Sequence, residues 1–253
     1  MSVQQEQRGR VAILRLNRPE ARNAIDPATS RAIEAALDEL EADPEVWCIV
    51  ITATGPVFCA GADLKVIASG GGADIMTKRG GFAGLAWREM SKPLIAAVNG
   101  AAVAGGFEIA LACDLVVAAD TAVFGLPEVQ RGLLASAGGP IRLAQRVPLA
   151  VALELTLLGE PITAARALEL GLVNRVVPAD RVLDEALALA DRLVANSPAA
   201  VRGARELVLG AADSDRAGAW DLNRRLMREV AASPDGREGA AAFVEKRPPV
   251  WAP

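Results

Sequence analysis

The stretch KPLIAAVNGAAVAGGFEIALACDLVVAAD, residues 92–120, joins two apolar runs through a short helical pattern. Residues 93–100 and 115–120 predict buried strands, and GGFEIALACD between them predicts a helix that opens on two glycines. A strand, a helix and another strand in this order indicate an α/β fold with mostly parallel connections. One carboxylate, Glu108, lies within the apolar helix, so this segment is also the first place to look for chemistry.

The segments on either side extend the same pattern. VAILRLN (11–17) and WCIVITA (47–53) are apolar and rich in β-branched residues, which predicts two more strands, and the helix between them opens with Asp26 as cap and Pro27 at its first position. GGPIRLAQRV (138–147) predicts the start of another helix. From about Thr163 onward, amphipathic helices prevail, with LVNRVV (172–177) as a possible strand. A helical C-terminal third therefore follows an α/β core.

Composition limits the class of protein. The chain has 253 residues, 52% of them hydrophobic and 23% charged, which suits one large domain or a domain with an appendage. A net charge of −4 and the lack of a long Lys/Arg run argue against partners such as nucleic acid or an anionic membrane. Three widely spaced cysteines favour a reducing cytoplasm over a disulfide framework or a metal site. The polar N-terminus and the glycine-broken run 93–107 predict neither a signal peptide nor a membrane span.

The chain contains no histidine and no tyrosine. Nucleophile systems that depend on histidine, and zinc sites rich in histidine, are therefore excluded. Acid and base chemistry falls chiefly to carboxylates. We accordingly expect an active site without a metal.

Two glycine-centred segments follow predicted strands: VFCAGADLK (57–65) and NGAAVAGGFE (99–108). Neither is a nucleotide loop, because Gly106 and Phe107 stand where a phosphate loop needs Lys and Ser/Thr. Glycine at a strand-to-helix turn lets the backbone approach a ligand, and free N–H groups point outward there. If the N–H groups of Ala62 and Gly105 converge on one oxygen, they form an oxyanion hole, commonly worth ~3 kcal/mol per donor.

Two acids accompany these donors. Glu108 falls in the first turn of the Gly105 helix, and Glu128 lies twenty residues further along, in FGLPEVQRG. Two carboxylates in a mostly apolar pocket have their pKa values driven apart, so that one carries a proton while the other is a base. Structural alternatives remain for each feature: a helix dipole favours Glu108, a Pro-Glu turn is usually solvated, and Asp63 suits the cap of the next helix. The glycine pair at 105–106 also suits close packing.

Taken together, these segments resemble the crotonase (enoyl-CoA hydratase/isomerase) superfamily. LNRPEARNAID, FCAGADLK, the stretch 92–120, FGLPEVQRGLLASAGGPIRL, LGEPITAARALELGLVNRVVP and FVEKRPP occur in the family's order over nearly the whole chain. The resemblance implies an α/β fold with a ββα spiral core, residues 1–195, that carries an acyl-CoA site, and a helical C-terminal trimerisation region, residues 196–253. It also implies a homotrimer or a dimer of trimers, and no cofactor beyond the coenzyme A that is part of the substrate.

Residue by residue, the resemblance implies that Ala62 and Gly105 are the oxyanion-hole donors; Ala104 replaces the first glycine of the family's GGG. The presence of both Glu108 and Glu128 favours an enoyl-CoA hydratase, which adds water to a 2-enoyl-CoA to give a 3-hydroxyacyl-CoA. Glu128 would deliver the proton to C2, and Glu108 would position and activate the water.

The resemblance also implies a set of substrate-binding residues. Arg22, Lys65 and Lys246 would meet coenzyme A phosphates, the last of them on a neighbouring subunit. A solvated surface charge is the alternative for each. The residues expected to flank the ligand are Ala60, Asp63, Leu64, Gly106 and Pro127.

Other functions stay open at this point. Enoyl-CoA isomerisation and the dehydration of a specialised acyl-CoA belong to the same superfamily, and GLLASAGG (132–139) differs from the run typical of general fatty-acid hydratases. A non-catalytic acyl-CoA-binding protein is the alternative from another class. Binding alone needs neither carboxylate.

Overall fold

The computed structural model describes residues 1–252. Over this range the strands are β1 (Val3–Arg8), β2 (Val11–Leu16), β3 (Cys48–Ala53), β4 (Val57–Cys59), β5 (Met76–Thr77), β6 (Gly81–Phe82), β7 (Leu94–Val98), β8 (Ala101–Val103), β9 (Leu115–Ala119), β10 (Val123–Gly125), β11 (Ile162–Thr163) and β12 (Arg175–Val177). They form a six-stranded sheet in the order β1-β2-β3-β7-β9-β12, a four-stranded sheet in the order β11-β10-β8-β4, and the hairpin β5-β6.

The helices of the described chain are α1 (Pro27–Ala42), α2 (Leu64–Ala68), α3 (Gly105–Ala112), α4 (Gly139–Arg146), α5 (Leu149–Leu158), α6 (Ala164–Glu169), α7 (Val182–Val194), α8 (Pro198–Ala212), α9 (Arg216–Ala232) and α10 (Pro234–Glu245). The predicted cap of α1 is present, because the Asp26 side chain accepts a hydrogen bond from the Thr29 N–H at 2.7 Å. The expected α/β fold with a helical C-terminal region is confirmed.

A repeated ββα unit generates the two main sheets. The first strand of each unit, β3, β7 or β9, joins the large sheet. In this sheet only the pair β1-β2 is antiparallel, and every other pair of neighbouring strands is parallel. The second strand, β4, β8 or β10, joins the small sheet, again in parallel. A helical segment follows each pair: α2, α3, or the 3-10 turn Pro127–Arg131. Each turn of this spiral therefore sends one loop to the same edge of the small sheet.

The core lies between the large sheet and its covering helices. β3, β7 and β9 are almost wholly buried, which explains their unbroken apolar sequences. Helix α7 packs across β3, β7 and β9, whereas α8, α9 and α10 pack mainly on one another. The ion pair between Arg205 and Asp114, at 2.8 Å, joins α8 to the start of β9. The division at residue 195 remains a prediction.

The glycine-rich segment 68–84 is ordered in part. It contains a 3-10 turn, Gly72–Ile75, and the hairpin β5-β6. Glu34 of α1 fixes the hairpin, since its Oε1 accepts bonds from the Thr77 hydroxyl (2.6 Å) and the Gly80 N–H (2.9 Å). Across residues 1–252, none of the helices is both long and apolar enough to cross a membrane.

Candidate active site

The candidate site lies at one edge of the small sheet. Strands β4, β8 and β10 are adjacent and parallel, so they end at the same edge. The segments that leave them are 60–63, 104–108 and 126–128, which contain both predicted donors and both predicted acids. Carboxyl ends of parallel strands are where α/β proteins commonly bind ligands. Topology alone therefore brings the four residues together.

The turn after β4 holds the Ala62 N–H free. Ile25 clamps the turn from both sides: its N–H donates to the Gly61 carbonyl at 2.8 Å, and its carbonyl accepts from the Asp63 N–H at 2.9 Å. Gly61 has φ +89°, a conformation that glycine adopts without strain. Between these two bonds, the Ala62 N–H donates to no group within residues 1–252. It is available to a ligand.

The second donor, the Gly105 N–H, is the first amide of α3. It also has no acceptor in the described chain, as expected for the first turn of a helix. A Cβ atom built on Gly61 would lie 2.9 Å from the Gly105 nitrogen, so the two turns are in direct contact. The two free N–H groups thus lie on neighbouring turns, where the positive end of the α3 dipole favours an electron-rich oxygen.

Glu108 is buried, with 3% of its surface exposed. Its Oε1 accepts two hydrogen bonds at 2.8 Å, from the N–H groups of Ala137 and Gly139 at the start of α4. Burial raises the pKa of this carboxyl, while the two N–H donors and the charge of Arg142 act in the opposite direction. Oε2 has no hydrogen-bond partner among the described residues and is left for a ligand.

Glu128 follows β10 in the 3-10 turn Pro127–Arg131. Its Oε2 is buried and has no hydrogen-bond partner within the described chain. Burial and, to a lesser extent, the nearby charge of Glu108 raise the pKa of Glu128 to about 7, against the lowering effect of its own N–H and of Arg131. A buried oxygen without a partner is costly unless something binds to it, which makes Glu128 a strong candidate for contact with a ligand.

The residues predicted around the first donor surround the same turn. The Arg22 carbonyl accepts a hydrogen bond from the Ala60 N–H at 3.1 Å, and its side chain is exposed. Asp63 caps α2 through the Lys65 N–H at 3.1 Å, as one interpretation of the sequence predicted, and also pairs with Arg18 at 3.3 Å. Leu64 and Lys65 are exposed on α2.

Of three further predicted residues, two lie at this edge of the small sheet and one lies apart from it. A Cβ atom on Gly106 would lie 2.7 Å from the carbonyl carbon of Cys59, so Gly106 permits close packing of α3 on β4. Pro127 opens the 3-10 turn that carries Glu128. Lys246 lies apart from this group, because it caps the end of α10, which packs on α8 and α9.

Sequence reasoning missed several residues that shape the site. Ala137 and Gly139 bind Glu108, and Arg142 donates to the Ala137 carbonyl. The ring of Phe82 abuts Gly105: a Cβ atom there would lie 2.5 Å from its Cε1. The glycine pair that opens α4 was a usable signal, since the free N–H groups of a helix start bind carboxylates. Nothing in the sequence connected Phe82 or Arg142 to the site.

Other reactive side chains are few. Within the described range, His, Cys, Asp and Glu side chains form no group of three or more that could hold a metal ion. The three cysteines are buried and unpaired, and burial raises the pKa of Cys48 and of Cys59 to about 12. These thiols are neutral at physiological pH. The carboxylates and the two N–H groups therefore define the chemistry of the site.

Two amide donors beside the buried Glu108 and the half-buried Glu128, on a ββα spiral, form the kind of site that the resemblance to acyl-thioester enzymes predicted, and comparison with known proteins gives the family. Residues 6–253 match the family model described as enoyl-CoA hydratase/isomerase. The chain belongs to this family, the crotonase superfamily, as the sequence motifs predicted. A probable enoyl-CoA hydratase from Mycobacterium leprae is 43% identical over 246 residues, which cover 95% of this chain and 93% of the relative.

Two further proteins are similar to the chain. A carnitinyl-CoA dehydratase from Proteus mirabilis is 39% identical over 250 residues, 96% of this chain and 95% of the relative. The crystal structure of an enoyl-CoA hydratase from Mycobacterium tuberculosis superposes with a TM-score of 0.95 at 43% identity, covering 99% of this chain and 98% of that chain. The similarity spans the spiral core and the helical C-terminal region alike.

Proposed function

We propose that the protein is an enoyl-CoA hydratase, a hydro-lyase that reversibly adds water to a 2-enoyl-CoA to give a 3-hydroxyacyl-CoA. The observation that carries this proposal is the meeting of two free N–H groups, Ala62 and Gly105, with the buried carboxyl of Glu108 and the buried Oε2 of Glu128 at one sheet edge. Family membership and the names of the full-length relatives support the same reaction.

The N–H groups of Ala62 and Gly105 bind the thioester oxygen in this mechanism. Addition of water at C3 pushes electron density through C2 into the thioester carbonyl, so negative charge develops on its oxygen. Preorganised amides stabilise that charge more strongly than the neutral carbonyl, which lowers the barrier. Gly105 and the Phe82 ring beside it are buried, which limits the contact of this donor with bulk water.

Glu108 and Glu128 divide the proton transfers. Glu108, whose Oε1 is held by two N–H groups, is the better stabilised anion and accepts a proton through Oε2 from the attacking water. Glu128, with a pKa of about 7, delivers its proton to C2. The new bonds are C3–O and C2–H, and the net change is the addition of one water. Proton exchange with solvent then restores both groups. Because the two carboxyls interact, their titrations are coupled.

The coenzyme A part of the substrate lies against the turn after β4. The exposed cations Arg22 and Lys65 flank this turn and would meet its phosphates. Ala60, Asp63 and Leu64 would contact the ligand chiefly through their backbone, while Gly106 and Pro127 shape the floor around the acids. Lys246 would act on a neighbouring protomer. The reaction needs no further cofactor, since coenzyme A is part of the substrate.

The protein would act as a homotrimer or a dimer of trimers, with residues 196–253 forming the oligomerisation region on the 1–195 core. The large apolar side chains that are exposed on the single chain include two groups. Leu149, Leu153 and Leu157 form a stripe along one face of α5, and Phe243 and Val244 lie near the end of α10. Exposed apolar faces of this kind are usually covered by a partner, here further copies of the chain.

Incubation of the purified protein with crotonyl-CoA and longer 2-enoyl-CoAs tests the proposal, by following the loss of absorbance of the conjugated thioester. Hydration with a measurable kcat at one chain length or more is the expected result. Failure with every 2-enoyl-CoA, together with turnover of a 3-enoyl-CoA, would assign the chain to isomerisation. Tight binding without turnover would make it an acyl-CoA-binding protein.

A second candidate is the hydration or dehydration of a specialised, polar acyl-CoA. The 39% identity to a carnitinyl-CoA dehydratase and the divergent run 132–139, which contacts Glu108 directly, favour it. The same four groups would perform this chemistry. A panel that adds 3-hydroxyacyl-CoAs with polar tails distinguishes it from general hydration by the ratio of kcat/KM values.

A further inference from the structure

Arg142 links two backbone segments beside the candidate site. Its Nη1 donates to the Ala137 carbonyl at 3.1 Å and its Nη2 to the Ala86 carbonyl at 2.7 Å. The guanidinium also lies against Gly138, where a Cβ atom would overlap Nη1. Within residues 1–252 it has no carboxylate in ion-pair contact. A partly buried cation is thus held by neutral carbonyls alone.

The same peptide segment connects Arg142 to Glu108. Ala137 accepts from Arg142 through its carbonyl and donates to Glu108 Oε1 through its N–H. Gly139 supplies the second N–H to the same oxygen. Because three of these contacts fall on residues 137–139, displacement of the guanidinium would move both donors that orient the carboxylate.

The charged groups around Glu108 are few. The elements packed on α3 are α4, β8 and β4, and Glu128 faces it from the neighbouring turn. From β4 comes Cys59, and Cys113 ends the helix; burial raises the pKa of both thiols, so they are neutral. Burial raises the pKa of Glu108, and the charge of Arg142 on α4 opposes that rise.

Two other arginines lie nearby without acting on Glu108. Arg131 acts on Glu128, and Arg146 of α4 donates to the Cys113 carbonyl at 3.3 Å. Among the described residues, Arg142 is therefore the cation that acts on Glu108.

We propose that Arg142 is a positioning residue for the hydration reaction: it holds the 137–139 backbone that orients Glu108, and its guanidinium, bonded to the same Ala137 peptide as the carboxyl, favours the ionised form of Glu108. The inference rests on the proposed function. It gives a geometric reason for the two carboxyls to differ in protonation, since the Oε1 of Glu108 accepts two N–H bonds from the segment that Arg142 holds, whereas the buried Oε2 of Glu128 has no partner in the described chain.

The test compares Arg142→Gln, Arg142→Lys and the control Arg146→Gln, which removes an exposed arginine one turn further along α4. In Arg142→Gln, the acidic limb of kcat/KM against pH should move upward by about one pH unit, because loss of a nearby cation raises a carboxyl pKa by this order. Its kcat should fall at least about tenfold. In Arg142→Lys, the pH of the acidic limb should stay close to that of the unchanged chain. In Arg146→Gln, both the pH of the acidic limb and kcat should stay unchanged.

Carboxyl 13C NMR of protein labelled at glutamate gives a readout that does not depend on turnover. The Glu108 resonance, assigned by its loss in Glu108→Gln, should titrate at higher pH in Arg142→Gln. If the unchanged chain hydrates no enoyl-CoA, the proposed function fails, while this titration still decides whether Arg142 sets the ionisation of Glu108. A folded Arg142→Gln protein with an unchanged Glu108 titration, or a limb that moves equally in Arg142→Lys, would overturn the inference.

Discussion

The Gly105 nitrogen lies 2.9 Å from the position that a Cβ atom on Gly61 would occupy. Two turns that are more than forty residues apart in the chain therefore touch, and each contributes a free N–H group. The contact is possible because Gly61 has no side chain and adopts φ +89°. Whatever oxygen binds between Ala62 and Gly105 meets donors whose spacing is fixed by backbone packing.

Substitution of Gly105 tests how tightly this spacing is set. In Gly105→Ala, the new methyl group would collide with the Phe82 ring, 2.5 Å from Cε1, and displace the N–H donor. We expect kcat to fall by about a hundredfold, the usual effect of losing one oxyanion donor. Gly72→Ala is the control. Its methyl group would lie no closer than 3.5 Å to another atom, which is an ordinary van der Waals contact.

The double variant Gly105→Ala/Phe82→Leu shows whether the ring is the cause. Relief of the collision should make the double variant more stable in urea than the sum of the single effects, by about 1 kcal/mol. Strict additivity would mean that Phe82 does not limit the space at Gly105.

Ala104 is strained. It precedes Gly105 with φ +52° and ψ −133°, a conformation that residues with a Cβ rarely adopt, and it stands where the family pattern has glycine. Ala104→Gly should raise the free energy of unfolding by about 1 kcal/mol, because relief of strain exceeds the added entropy of the unfolded chain. Ala110→Gly, in the regular part of α3, should lower it by about the same amount. Destabilisation by Ala104→Gly would show that the position is not strained.

Loss of the Glu128 carboxyl should remove the proton donor while keeping the shape of the site. We expect Glu128→Gln to lower kcat by two or more orders of magnitude, with little change in the Kd of an unreactive acyl-CoA. A discontinuous activity assay measures kcat, and titration calorimetry measures the Kd. Equal turnover in this variant would remove Glu128 from the chemistry.

Glu128 also makes stability depend on pH. Its folded pKa, about 7, lies above the ordinary value of 4.5, so the folded state is favoured at low pH and loses stability as pH rises from 4.5 through 7. Glu128→Gln has no carboxyl to ionise at this position, so it does not lose stability in this way as pH rises. Its free energy of unfolding relative to the unchanged chain should therefore rise between pH 5 and pH 8, by on the order of 2 kcal/mol. Parallel stability curves for the two proteins would contradict the raised pKa.

Much of the fold was predictable because its long elements have clear periods. Apolar runs such as 11–17 and 93–100 and the capped helix at Asp26 match the observed elements closely. The three-residue strands β4, β8 and β10 were not predicted, since so short a segment has no period of its own and depends on its neighbours for pairing. The polar edge strand β1 was missed as well, because only its pairing with β2 makes it a strand.

The candidate site was predictable where chemistry requires particular residue types. Carboxylates are few in apolar surroundings, so Glu108 stood out, and glycine turns indicated the two donors. The donors to Glu108 are backbone atoms of Ala137 and Gly139, which the sequence letters do not reveal. Phe82 and Arg142 reach the site from distant segments, and only tertiary packing brings them there.

Hydration of crotonyl-CoA in water enriched in oxygen-18 tests the central claim most directly. The product, analysed by mass spectrometry with fragmentation, should be 3-hydroxybutyryl-CoA that carries the heavy oxygen at C3, and neither Glu108→Gln nor Glu128→Gln should form it at a comparable rate. A product without heavy oxygen whose double bond has moved, or equal labelling by the two variants, would contradict the assignment of these carboxylates to the addition of water.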